Sequence, residues 1–538
     1  MRRLIALLLL APCITLGASI DAREVAVRAV IGAAFHDLAP REQSRWREAL
    51  LQQYQGRAFS PLWFTGNELT PSAFGMLREL RTAESRGLRS DDYAGEGFPL
   101  LDERTKFDAA LSVAAARMAM DLHAGRIDPR QLGHDLDVPK ARADPGDLMA
   151  SLARAADPGS ALDWLEPRLH QYDLLKTALA RYRALARQPQ LTRLPALPKR
   201  SLSTGDSYDG APALRALLHG LGDLPDSREP LPGSAAGIFD ETLVAGLRTF
   251  QLRHALAPDG VLGPATFREL TTPLSHRVSQ IVLSLERMRW LPDFASPPII
   301  VNIPQFRLFA FRTTEDLASE ILQMDVVVGS AFSPRHTPVF AAEMRYLVLR
   351  PYWDVPRSIL LEELLPLIRG NANWIEASDY EIVLGDGDNA RPQAPTDDNV
   401  ERLARGALRL RQKPGPGNSL GLVKFMLPNP HNVYLHDTPA RALFGQLRRD
   451  FSHGCIRVAD PMALIRHVLG EDPQWPTERL AAAMESGGPT RIVLPRRIPV
   501  LVLYGTALVK STGETLFFDD VYGHDARLEA ALASRRAR

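Results

Sequence analysis

Ile299-Ile300-Val301-Asn302-Ile303-Pro304-Gln305-Phe306-Arg307-Leu308-Phe309-Ala310-Phe311 breaks the pattern of everything before it. Upstream, apolar residues recur at helical spacing. Here β-branched and aromatic residues crowd into two short runs, Ile299 to Ile303 and Gln305 to Phe311, parted by Pro304. Similar runs follow at Gln323 to Val328, Tyr346 to Leu349 and Val433 to Leu435, separated by Gly, Pro and Asn. This predicts a mainly antiparallel β domain, set at 277–506. Between Trp353 and about Pro414 the strand pattern gives way to a helix-like run, Ile359 to Ile368, and polar loop. An excursion of that length in a compact domain is either disordered or functional, and the functional option is a lid, placed at 353–414. Residues 507–538 are read as a C-terminal tail.

Moving upstream, a connecting helix is expected around Val278 to Arg289. Before it, 205–272 reads as three short helices. Leu214, Leu217, Leu218 and Leu221 line the first, ended by Gly222, and Leu243, Val244, Leu247 and Phe250 line the second. Asp259-Gly260 turns into the third, which opens at Pro264. From 25 to 200 the chain is rich in Ala, Leu and Arg at helical spacing. Phe107, Leu111, Ala114, Met118 and Leu122 are expected on one helix face, Trp63-Phe64 in a core, and Pro189, Pro195 and Pro198 in a linker. The architecture expected is multidomain α+β: a helical scaffold, a small three-helix unit and the β domain.

Arg2 and Arg3 before the apolar run Leu4 to Leu10, then Gly17, Ala18 and Ser19, read as a secretory signal peptide over 1–18. The competing reading is a lipoprotein signal acylated at Cys13. No apolar stretch reaches the ~20 residues of a membrane span, so no stable membrane insertion is expected after cleavage. With 538 residues, 45% hydrophobic and 24% charged, the chain is long enough for several globular domains. Lys and Arg (64) balance Asp and Glu (63), so there is no general basic field for nucleic acid. Of two cysteines, Cys13 is removed or lipidated, which leaves Cys455 as the one thiol of an exported chain. It is either an inert core cysteine or a nucleophile.

Its neighbours favour the nucleophile. Val433-Tyr434-Leu435-His436-Asp437-Thr438 is followed, nineteen positions after His436, by Ser452-His453-Gly454-Cys455-Ile456-Arg457-Val458. A thiol becomes nucleophilic beside a base or a cation, so His436 at a strand end and Arg457 are the useful companions. Gly454 permits a tight turn, and backbone N–H groups near it could hold an oxyanion. His453 is the rival base, set back because an extended chain turns it to the opposite face. A zinc site from His431, His436, His453 and Cys455 is the other arrangement these residue types allow, but paired-cysteine spacing is absent. Bare chemistry supports acyl transfer through a thioester.

This stretch resembles the signature of L,D-transpeptidases of the YkuD class, and more closely the large periplasmic branch typified by YcbB. Pro351-Tyr352-Trp353-Asp354-Val355-Pro356, Pro414 to Gly421, Lys424-Phe425 and Tyr434 to Pro439 stand where that branch has comparable segments. Phe250-Gln251, Leu256, Asp259-Gly260-Val261, Gly263, Thr266 and Leu270 likewise resemble a peptidoglycan-binding domain, the alternative being a three-helix spacer. Asp354, often Asn in the branch, and His453, Ser in some members, depart from the pattern.

The resemblance implies a periplasmic enzyme that uses no cofactor and acts on peptidoglycan stem peptides and glycan. Cys455 would be the nucleophile, His436 the proton acceptor and donor, and the Asp437 carbonyl the group orienting His436. Gly454 would supply oxyanion-hole backbone, and Arg457, Tyr434, His453 and Trp353 would meet substrate, with Arg457 alternatively pinning the loop. The product implied is a crosslink between diamino acids with release of D-Ala. A carboxypeptidase or hydrolase using the same thioester, and a non-catalytic wall-binding scaffold, are the alternatives.

Overall fold

The computed structural model describes residues 21–94, 98–224, 237–314, 321–332, 334–371 and 373–535; the expected signal segment and Cys13 lie outside them. In the helical N-terminal body, Arg104–Ala124 forms the central helix. The five residues expected on one apolar face are all buried, and the helix buries more than that face. Ala109, Ala115, Ala116, Ala119 and Met120 are buried along with Phe107, Leu111 and Met118, because small alanines let neighbouring helices approach on the remaining sides. Trp63 is fully buried, as expected. Asp108 fixes that corner, accepting from Tyr54 Oη at 2.6 Å and from the Trp63 amide at 2.7 Å. Burial pushes its carboxyl up despite these bonds.

The unit around 211–271 has the three expected helices, Ala211–Leu221, Glu241–Arg253 and Pro264–Thr271. Its core does not stop at its own boundaries. His170–Ala186, read as part of the scaffold, and Leu274–Arg289 both contribute to it, through Leu175, Leu179, Ile281 and Leu285.

The β domain has nine strands: β1 (Ile299–Asn302), β2 (Arg307–Ala310), β3 (Leu322–Gly329), β4 (Phe340–Leu349), β5 (Val423–Met426), β6 (Leu435–His436), β7 (Asp450–Ser452), β8 (Ile456–Val458) and β9 (Thr490–Leu503). Their order is β7-β3-β8-β6-β5-β4-β9-β1-β2, and β2 pairs back with β3, so the sheet closes into a barrel. Most pairs are antiparallel, as expected. The exceptions are β6 with β8, β9 with β1 and β7 with β3. Val301, Leu308, Val326, Leu347, Phe425, Leu435, Ile456 and Val500 fill the core, all fully buried.

Two sequence expectations change. The 353–414 excursion is not helix and loop alone. Trp353–Asp354, Arg409–Gln412, Tyr380–Leu384 and Arg391–Gln393 form a four-stranded antiparallel sheet, with a core that includes Leu360, Leu365, Ile368, Ile382 and Leu410. At its neck, the buried Asn418 amide donates to the carbonyls of Pro351, Gln412 and Lys413, tying the outgoing chain to the returning one. Residues after 507 are not a loose tail either. A hairpin, Ala507–Val509 with Thr515–Phe517, and the helix His524–Ser534 pack into two of the cores, where Phe517 and Leu528 are buried.

The bodies are joined at Leu274–Arg289, the predicted connecting helix. Glu286 is fully buried and pairs with Arg126 at 3.0 Å and Arg289 at 2.9 Å, while Arg289 also reaches Tyr172 Oη at 3.1 Å. Burial alone would raise the Glu286 carboxyl; the two guanidiniums outweigh it and hold it low. Removing the carboxylate strands two buried cations. Glu286→Ala is therefore expected to lower stability by about 3–5 kcal/mol, read as a shift in urea midpoint; an unchanged midpoint would contradict it.

A second network titrates differently. His134 and His524 lie ring to ring at 5.0 Å, and neither Nδ1 has a partner among the described residues. Burial, with Arg287 and Arg527 adding repulsion, holds His134 down at about 4 and His524 at about 2. The unfolded chain therefore binds protons that the folded chain refuses. Stability is expected to be complete above pH 6.5, the ordinary histidine value, and to fall as pH drops toward 4. The slope should be about 1.4 kcal/mol per pH unit for each histidine. Glu286 works in a lower window, below its ordinary 4.5. Urea midpoints flat between pH 7 and 4.5 would count against the histidine assignment.

Candidate active site

Strands β6 and β8 run parallel, with Leu435 opposite Ile456 and His436 opposite Arg457. Leu435 and Ile456 face the core, so alternation turns His436 and Arg457 to the other face. Cys455, just before β8, lies beside Tyr434, whose carbonyl accepts the Ile456 N–H at 3.0 Å. Tyr434 pulls the Cys455 thiol toward thiolate through its backbone and its phenol. The thiol itself donates weakly to the Asn432 carbonyl, with sulfur and oxygen 3.8 Å apart.

His436 is buried, and its Nδ1 lies 2.5 Å from the Asp437 carbonyl. A carbonyl can only accept, so Nδ1 carries the proton and Nε2 is the free base. Asp437 is itself anchored: its carboxylate accepts from the Leu422 N–H at 2.9 Å and from Arg441 at 3.2 Å. A Cβ at Gly421, where φ is +60°, would come within 2.3 Å of that carboxylate. Burial first, then Arg457, pushes the imidazole down to about 3. Burial raises the thiol, against the pull of Tyr434, Lys424 and Arg457 toward thiolate. The resting pair is therefore neutral thiol and neutral imidazole.

Lys424 is the residue that the sequence reading left without a role. It pairs with His436 in register from β5, its ammonium sits 3.9 Å over the Tyr434 ring, and burial lowers its pKa. The signal was present: in Val423-Lys424-Phe425 both neighbours are buried, so Lys424 must face the side that carries His436. Lys424→Met is expected to raise the Cys455 thiol pKa, because the ammonium favours the thiolate. Thiol alkylation below that pKa should then slow by roughly tenfold. A pH profile of alkylation that superimposes on wild type would show that the ammonium does not act on the sulfur.

The remaining expected residues separate. Trp353 stands at the root of the insert, its ring centroid 6.3 Å from that of Tyr380. Asp354 pairs with Arg409 at 2.9 Å. Arg457 has a buried Nε without a partner among the described residues, which favours a charge role over a pin. His453 is engaged by the insert: its Nε2 lies 2.6 Å from Glu363, and Arg335 meets Glu362 at 3.2 Å and Glu363 at 3.0 Å. His431 meets Asp135 at 3.2 Å, so it and His453 have other partners than the thiol, and among the described residues no three such side chains converge on a metal position.

Gly454 needs one correction. Its φ of +116° fits glycine, but its N–H already donates to Ser452 Oγ at 3.1 Å. That donor is committed inside the loop.

Comparisons with known proteins bear on the domains of the chain. Residues 297–492 match the L,D-transpeptidase catalytic domain family YkuD. Residues 48–179 match a scaffold domain, and 208–270 match a family described as "Putative peptidoglycan binding domain". The chain therefore carries a YkuD L,D-transpeptidase catalytic domain together with a scaffold domain and a peptidoglycan-binding domain. A Haemophilus influenzae protein named "Putative L,D-transpeptidase" is 31% identical over 263 residues, 48% of this chain. The matched region spans 51% of that relative, about half its length. A crystal structure of the L,D-transpeptidase (residues 123–326) from Xylanimonas cellulosilytica DSM 15894 is 13% identical, over 57% of this chain and 100% of that one. Its TM-score is 0.16, a likeness that carries no argument.

Proposed function

We propose that this chain is an exported L,D-transpeptidase that crosslinks peptidoglycan stems between diamino acids through a thioester on Cys455. The observation that carries the reading is the set gathered on one face at β5, β6 and the start of β8: Cys455, whose thiol Lys424 and Arg457 pull toward thiolate, and the His436 imidazole oriented by the Asp437 carbonyl. His436 Nε2 takes the thiol proton as sulfur attacks the carbonyl between the diamino acid and the terminal D-Ala. The C–N bond breaks, D-Ala leaves with the proton from the imidazolium, and the thioester remains. An amine from a second stem attacks the thioester, forming the amide and returning the proton and the thiol.

The location proposed is the periplasm, with stem peptides and glycan as the partners. No helix among the described residues is long and apolar enough to cross a membrane. Incubation with tetrapeptide-bearing muropeptides is expected to yield crosslinked dimers, free D-Ala and a transient acyl-enzyme mass. Trimmed monomers without dimers would assign hydrolysis instead. Neither acyl-enzyme nor D-Ala would sink the reading.

A further inference from the structure

The loop between β3 and β4 meets the nucleophile's loop at Thr337. Thr337 is fully buried; its hydroxyl donates to the Gly454 carbonyl at 2.8 Å and accepts the Gly329 N–H at 2.8 Å. Gly454 C=O and Cys455 N–H belong to one peptide plane, trans and rigid, so they point in opposite directions. Holding the carbonyl therefore aims the N–H. With the Gly454 amide committed to Ser452, the Cys455 amide is the donor left next to the sulfur for an oxyanion.

Thr337 is held in turn by a residue from the far end of the chain. The Tyr522 hydroxyl donates to the Gly329 carbonyl at 2.5 Å and accepts the Thr337 N–H at 3.4 Å. Its ring stacks on His336, centroids 4.2 Å apart and 6° from parallel. The Tyr522 N–H donates to Tyr504 Oη at 2.9 Å, and Tyr504 donates to Asp520 at 2.6 Å. The loop folds back so closely that a Cβ at Gly329 would lie 2.1 Å from the Arg335 carbonyl oxygen. The Gly454 carbonyl is thus tied through Thr337 and Tyr522 to the C-terminal segment.

We infer that Thr337 is a positioning residue that aims the Cys455 amide at the oxyanion, and that Tyr522 clamps Thr337 in place. The inference rests on Cys455 as the nucleophile of the proposed reaction. Its test uses p-nitrophenyl acetate, whose acyl transfer to sulfur forms a tetrahedral oxyanion, and iodoacetamide, whose displacement at carbon forms none. Both probes act on Cys455 whatever the natural substrate, so failure with muropeptides remains a separate result.

Thr337→Val in the full chain is expected to slow the p-nitrophenolate burst by roughly 100-fold, the loss of one oxyanion donor. Alkylation by iodoacetamide should stay within about twofold, because only the carbonyl chemistry needs the donor. Thr337→Ser should restore the burst, and Tyr522→Phe, which keeps the stack on His336, should slow the burst but not alkylation. A burst at the wild-type rate in Thr337→Val, or equal losses in both reactions, would overturn the inference. Should Thr337→Val fail to fold, Tyr522→Phe against Thr337→Ser gives the same comparison, and a Tyr522→Phe burst equal to wild type overturns it.

Discussion

Cys455→Ala is expected to fold, bind as before and form no acyl-enzyme. The sulfur makes one weak bond, to the Asn432 carbonyl. An alanine keeps the Cβ and the backbone of the loop. Its cost to stability is that of a small thiol in a half-buried place, a fraction of the 2–5 kcal/mol that a truncated core Leu costs, so ~1 kcal/mol. The cost to chemistry is complete, since no other cysteine follows Cys13. Intact-protein mass after exposure to a tetrapeptide donor is the measurement. A thioester-sized mass increment in the variant would place the nucleophile elsewhere.

His436→Ala should leave the thiol present and nearly idle. Burial keeps both partners neutral at rest, so the proton has to move during attack rather than before it. General-base help of that kind is worth ~100 to 10,000-fold. His453→Ala should cost far less in acylation, because that imidazole is spent on Glu363 in the insert. Its loss should show in how the insert sits, not in the proton transfer. The two acylation rates, measured side by side on single-turnover timescales, decide the matter: the reverse order would exchange the roles of the two histidines.

Much of this was legible in the residues, for a physical reason. Period-two alternation and parted β-branched runs mark β1, β2 and β3 within a few residues, and the same alternation puts His436 at a strand end. The closing of the barrel was not legible. It depends on β9 lying beside β1 and on β2 meeting β3, partnerships set by tertiary packing and not by local preference. The insert's sheet hid for a different reason: Arg409-Leu410-Arg411-Gln412 is short and polar, yet Arg411 is buried against Glu381 and over Tyr352. Burial of a paired charge leaves no apolar signature. The same holds for the C-terminal segment, where Arg287 meets Asp525 at 2.5 Å, and Arg535 meets Asp121 at 2.9 Å.

The helix Leu274–Arg289 gives Leu283 to the barrel core, Ile281 and Leu285 to the core of the 211–271 unit, and Glu286 and Arg289 to the network that reaches Arg126 and Tyr172. A flexible tether would let an anchored module offer its thiol over a spread of distances, with an effective concentration that falls gradually with span. A shared rigid helix permits one span. Under the proposed function, with the 211–271 unit anchored to the wall, such a chain would behave as a gauge: stems at the matching separation would meet the thiol at high local concentration, and those a short way off almost none.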